Sequence, residues 1–199
     1  LEPLCIRTLI LEIKFCKENK VIQASDIKIE YEIFLQECLK NLSYMEGFWR
    51  IYPLLLCEIV EACNEYVLLL RNMVERLEKD RKEIIRELCN GKEFEMLVRV
   101  ESDMADFHDY GETVVKIVLD NGITIYYKPQ KNNLKKIYLE YLKVLYKDQK
   151  LDSYDYKIVF QSKYSWEKEV YYKECATETE IKNYFTRLGI NLFLCYAIG

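Results

Sequence analysis

The residues best suited to chemistry lie between Asp106 and Lys128. Asp106 and His108 form an Asp-x-His pair around the only histidine of the chain. In extended backbone, residues two apart face the same way, so both can address one site. A carboxylate can orient an imidazole and stabilise its protonated form, and the imidazole can then move protons near neutral pH. The plain alternative is a loop histidine that is solvated or hydrogen-bonded. The stretch HDYGETVV has Gly111 as its one glycine, so it is not the G-x-G-x-x-G phosphate loop of protein kinases. Fewer glycines leave the backbone less free to wrap phosphates. Lys128 can still offer phosphates a point charge. As a lysine at a strand end it can equally be a surface residue. Glu140, on the next predicted helix, is a candidate brace for Lys128. Lys136 and Lys143 lie four before and three after it, and compete for it on a solvated face.

A hairpin must position Lys128. Residues 113–119 and 123–127 are rich in Val, Ile and Tyr, and Asn121-Gly122 lies between them. Asn-Gly supplies the positive φ angles of a tight hairpin turn. Read as a two-residue loop, it sets Asp120 against Ile123, Ile117 against Tyr126 and Val115 against Lys128. Alternation then places Val115, Ile117, Leu119, Thr124, Tyr126 and Lys128 on one face, so branched aliphatics surround the lysine.

Helices are predicted on both sides of this unit. Residues 1–20 carry Ile6, Leu9, Ile10 and Ile13 at helical spacing. Ser25 or Asp26 can cap a second helix through about Leu39. Residues 54–76 show the strongest helical pattern, with Leu55, Ile59, Ala62, Leu70 and Val74 on one stripe, and Pro53 suits its start. A further helix over 80–89 ends at Asn90-Gly91. Residues 96–100 read as a strand and 132–147 as a helix. Residues 157–161 and 166–172 read as two more strands. Thr177 to Glu180 forms a capping box that opens a helix through Tyr184, Leu188, Leu192 and Cys195. The expected fold is α+β, a helical N-terminal region (1–92) followed by an antiparallel sheet plus helices (93–199). That order matches the small lobe of a protein-kinase-like fold.

Composition narrows the function classes. Half of the 199 residues are hydrophobic and the formal net charge is −4, which excludes a disordered chain. Without a broad basic excess, nucleic-acid binding is excluded as the main role. Lys131, Lys135 and Lys136 read as a solvated helix face. The eight cysteines form no C-x-x-C pair, and no second histidine completes a zinc set. They are expected to be reduced and buried, in a cytoplasmic protein, with Cys175 serving in packing. No signal peptide opens the chain. The apolar run 52–70 is broken by Glu58, Glu61, Asn64 and Glu65, so no transmembrane segment is expected. Asp152, Asp155 and the carboxylates near Trp166 show no metal-ligand spacing.

The chain resembles the N-terminal dehydratase region of class II lanthipeptide (lantibiotic) synthetases. Asp106, His108, Gly111 and Val114, after Ala105, are similar to that family's D-x-H-x-x-G-x-x-V segment. Tyr127-Lys128-Pro129 match its Y-K-P. Trp166, Cys175, Tyr184, Phe185, Arg187 and Gly189 follow its order, and the CIRTLILEI and FWRIYPLLL stretches resemble its helical N-terminal region. The resemblance implies a lipid-kinase-like small lobe. It implies an enzyme that uses ATP and Mg²⁺ to phosphorylate Ser and Thr of a ribosomal precursor peptide, leader plus core, and then eliminates the phosphate. It implies Asp106 and His108 as elimination residues and Lys128 as the holder of the ATP phosphates; Glu140 and Val115, read from their places on the next helix and the facing strand, complete the expected ATP-binding set. Lys168 and Glu169 depart from the family pattern and leave its hinge contacts unassigned. The family's T-D-x-H-x-E-N segment with the Mg²⁺ ligands is expected beyond Gly199, as is a zinc-dependent cyclase, so this stretch alone is expected to be inactive. The alternative is a non-catalytic module that captures an extended leader peptide at a sheet edge.

Overall fold

The computed structural model describes residues 2–24, 26–102, 112–131, 133–152 and 156–198. Asp106, His108, Gly111 and Asp155 lie outside the described residues. The fold is α+β, with helices and a five-stranded antiparallel sheet. The chain divides into two compact units, Leu1–Leu70 and Arg71–Gly199.

The first unit is helical. Helix α1 spans Glu2–Glu18, and α2 spans Ile27–Ile33 and continues as a π-helical turn, Phe34–Leu39. Asp26 caps α2 by accepting from the amides of Lys28 and Ile29. Helix α3, Leu42–Ile51, is capped by the side chain of Asn41. Cys16, Ile22, Phe34 and Cys38 form the core here, with Leu9, Ile13 and Tyr44 against it. The carboxylate of Glu12, buried at 8% exposure, accepts from the hydroxyls of Tyr44 (2.6 Å) and Tyr52 (2.7 Å).

The two helices expected over 54–76 and 80–89 are one helix, α4, Pro53–Glu87. No glycine or proline interrupts residues 77–79, so nothing stops propagation there. It ends where expected, with Asn90 and Gly91 both at positive φ. Of the expected stripe, Leu55, Ile59, Ala62 and Leu70 are half-buried and only Val74 is exposed. Met73, Leu77 and Ile84 are buried.

The second unit is built on the sheet β1-β2-β3-β5-β4, with β1 Leu97–Glu101, β2 Val115–Leu119, β3 Thr124–Lys128, β4 Ile158–Phe160 and β5 Ser165–Lys168. Val115 pairs with Tyr127, Lys116 with Tyr126 and Ile117 with Ile125. This corrects the expected register by one residue. The loop is Asp120-Asn121-Gly122, closed by Leu119 N–H donating to the Ile123 carbonyl (2.9 Å), with Gly122 at φ +81°. A three-residue loop with glycine in the left-handed region is a standard hairpin closure. The observed register prevails because it gathers Val115, Ile117, Ile125 and Tyr127, all fully buried, onto one face. Trp166 shares that face through its pairing with Tyr127. Its indole N–H donates to Asp80 of α4 (2.9 Å), and Arg76 of α4 donates to the Tyr127 hydroxyl.

Helix α5, Asn133–Asp148, and helix α6, Glu178–Ile198, pack through Leu142, Tyr146 and Leu194. The capping box is present, with Glu180 N–H donating to Thr177 Oγ1 and Thr177 N–H to the Glu180 carboxylate. The helix runs through Tyr184, Leu188, Leu192 and Cys195 as expected. Leu188, Leu192 and Cys195 are exposed, and Ile190 and Leu194 face α5. This helix is apolar nearly all round, so spacing alone does not choose its face. Among the described residues, no helix is long and apolar enough to cross a membrane.

Candidate functional site

The corrected register moves Lys128. Val115 stands on the buried face, and Lys128 shares the opposite face with Lys116 and Tyr126. The structure therefore does not bring Val115 and Lys128 together, because a one-residue shift exchanges the faces of a strand.

Lys128 pairs with Glu167 rather than with Glu140. Its ammonium lies 2.8 Å from Glu167 Oε2. Strand β5 places Glu167 there, since Tyr126 pairs with Glu167 and Lys128 with Ser165. Lys135, in the first turn of α5, donates to Glu167 Oε1 at 2.7 Å and to the Tyr156 hydroxyl at 2.9 Å. The Tyr156 hydroxyl donates to Glu167 Oε2. One carboxylate thus receives two ammonium groups and a phenol. Burial on its own would raise the Glu167 carboxyl, but the hydrogen bonds from Lys128, Lys135 and Tyr156 outweigh it and hold the group below the usual carboxylate range. Burial pushes Lys135 below the ordinary lysine range, and the field of Lys128 adds to this while Glu167 opposes it. The reading of Lys135 as part of a solvated face is corrected: it turns inward toward Glu167.

A second pair lies on the same face. Lys116 meets Glu169 at 3.1 Å, and the Tyr126 hydroxyl donates to Glu169 at 3.2 Å. Glu169, an unexpected residue at its position, is therefore the partner of Lys116.

Glu140 is exposed and lines a cavity of about 240 Å³ with Lys136, Leu139, Lys143, Tyr156 and Ile158. Tyr156 joins this cavity to the Lys128–Glu167–Lys135 cluster, and it also lines a neighbouring cavity of about 330 Å³ with Tyr184 and Arg187. Asp106 and His108 lie outside the described residues. Among the described residues, no group of three His, Cys, Asp or Glu is placed to hold a metal ion. The cysteines are free, but only Cys16, Cys38 and Cys89 are buried, which corrects the expectation of general burial. Cys57, Cys63, Cys175 and Cys195 are exposed.

Glu167, Lys135 and Tyr156 are the site residues that motif reading does not find. A signal for the first exists. In Trp166-Glu167-Lys168-Glu169, alternation sets both glutamates opposite the tryptophan, on the face that a strand lysine from β3 can share.

No curated protein matches the chain. A family model described as a domain of unknown function, DUF4135, matches residues 52–199, which takes in the sheet, α5, α6 and the whole lysine–glutamate cluster. That domain is found in lanthipeptide synthetase proteins. The chain belongs to the DUF4135 family.

Proposed function

We propose that this chain is part of the dehydratase of a class II lanthipeptide synthetase, acting in the cytoplasm on a ribosomal precursor peptide. The observation that carries this reading is the clustering of Lys128 of β3 and Lys135 of α5 about Glu167 of β5 on one face of an antiparallel sheet, as the small lobe expected from the motif resemblance would require. In the first step the γ-phosphoryl group of ATP passes to a Ser or Thr hydroxyl, with Lys128 offsetting charge on the phosphates. In the second step the α-C–H and β-C–O bonds break, a C=C bond forms, and phosphate leaves with the electron pair. Asp106 and His108 are the proposed proton-handling residues of that step. Mg²⁺, when bound, would supply further positive charge against the phosphates. Among the described residues, no group of three His, Cys, Asp or Glu is placed to hold it.

The test uses the intact protein that carries this chain, with mass spectrometry of the precursor peptide. The cytolysin peptides are the first precursors to assay, on the strength of the motif resemblance. Lys128→Ala should lower phosphorylation roughly hundredfold, the scale seen when one preorganised donor is lost. His108→Ala should leave phosphorylation intact and slow elimination by about two orders of magnitude, so that phosphopeptide accumulates. Normal dehydration by both variants would sink the reading.

One observation favours a second reading, a leader-binding module without chemistry of its own. Strand β1 lies at the end of the sheet, where an extended peptide would add through backbone hydrogen bonds, and Val98 and Val100 are exposed there. Peptide binding indifferent to ATP and to Lys128→Ala would favour that reading.

A further inference from the structure

Among the described residues, the cluster at Glu167 sets two ammonium groups against one carboxylate. Neutrality needs one cation, and Lys128 supplies it at 2.8 Å. Lys135 adds a second at 2.7 Å, and the Tyr156 hydroxyl contributes another donor. Glu167 itself is 2% exposed, while the two lysine side chains keep 31% and 27% of their surface. The excess charge therefore sits in a partly desolvated place that a ligand can still reach, where an unmatched ion is costly. The start of α5 adds to the imbalance. Its first turn carries Lys135 and Lys136 and no acid, so two cations meet the positive end of the helix dipole.

We propose that Lys135 is a second phosphate-binding cation beside Lys128, and that Glu167 is the common counter-ion holding the two ammonium groups side by side for a polyphosphate. The proposal rests on the dehydratase reading for the nucleotide as the source of that polyphosphate, and extends it to residues outside the Y-K-P motif. The geometry favours a di- or triphosphate over a single phosphate. Lys135 is bound to Oε1 and Lys128 to Oε2, so the carboxylate spreads the ammonium groups across its width, and each can address a different phosphoryl group. Glu167 offsets the repulsion between them, and Tyr156 fixes its orientation.

The experiment is calorimetric titration of the intact protein with ATP, AMP and inorganic tripolyphosphate. Lys135→Met should weaken ATP and tripolyphosphate binding about tenfold and AMP binding by less than about twofold, since AMP offers one phosphate. Lys135→Arg should restore most of the loss. Unchanged ATP and tripolyphosphate affinity in Lys135→Met overturns the proposal. So does an equal loss for all three ligands, which marks a merely structural lysine. If Lys135→Met does not fold, the wild-type protein answers through acetic anhydride labelling read by peptide mass spectrometry. Tripolyphosphate should then slow acetylation of both Lys128 and Lys135, and labelling of Lys135 at an unchanged rate overturns the proposal. The two readings fail separately. Tripolyphosphate binding that depends on Lys135 in a protein that dehydrates nothing supports the second cation and removes the dehydratase. Dehydration lost in Lys128→Met, with ATP affinity intact in Lys135→Met, does the reverse.

Discussion

At the scale of single residues, Glu167 decides most. It is nearly inaccessible to solvent, carries a charge, and satisfies three donors. Removing its charge leaves two ammonium groups facing each other, so Glu167→Gln should destabilise the fold by about 3–5 kcal/mol, the range for breaking a buried pair. Its titration has a definite sign. The folded carboxyl lies below its ordinary value of 4.5, so between the two values the unfolded chain binds more protons. The stabilisation is complete above the ordinary value and is lost as pH falls through the folded one. Urea denaturation across that acid window should show stability falling with acidity in the wild type, with that slope reduced in Glu167→Gln. An identical slope in both proteins would place the titrating group elsewhere.

At the scale of elements, the hairpin shows what one sequence can and cannot disclose. Its existence is legible, because Asn-Gly between branched runs is a local signal. Its register is not, because the loop closes through a tertiary partner. The Asp120 carboxylate accepts from the amides of Glu95 and Met96, and Asn121 donates to the Lys92 carbonyl. These contacts draw Asp120 into the loop, and with it Lys128 onto the charged face. Gly122 is the residue that closure needs, at φ +81°. An added Cβ would meet nothing within 4 Å there, so the cost of Gly122→Ala is conformational alone. It should be about 1 kcal/mol in thermal or urea melts. A loss several times larger would mean that the register itself had moved. The capping residues Asp26 and Thr177 were equally local, and both hold. Glu167 escapes motif reading for the opposite reason, since Lys128 and Lys135 lie 39 and 32 positions before it.

At the scale of the whole molecule, the order of helices and strands is legible and gives the α+β class. Which apolar faces are covered is less so. The cysteines illustrate this, because a helical stripe predicts a face without saying whether anything packs on it. Cys16 and Cys38 lie 3.8 Å apart in the core of the first unit, and burial, with help from Cys16, pushes the Cys38 thiol up to about 12. Cys57, Cys63, Cys175 and Cys195 are exposed. A thiol reagent added to the folded chain should therefore modify those four promptly, and Cys16, Cys38 and Cys89 only on unfolding. Peptide mapping after a short exposure checks the assignment, and early labelling of Cys38 would contradict the core described for the first unit.

The strand order β1-β2-β3-β5-β4 also sets an order in time. Strands β2 and β3 are joined by a short loop and can pair within microseconds. Strand β5 must first close a long stretch of chain that contains α5, and loop closure of that kind comes late. Lys128 is thus presented on its hairpin before Glu167 arrives to meet it. Contacts made after the rate-limiting barrier act on the return journey, so Glu167→Gln should quicken unfolding and leave refolding nearly as fast as in the wild type. Stopped-flow measurements on both limbs would show it. The carboxylate that joins the two lysines is then also the latch that closes last.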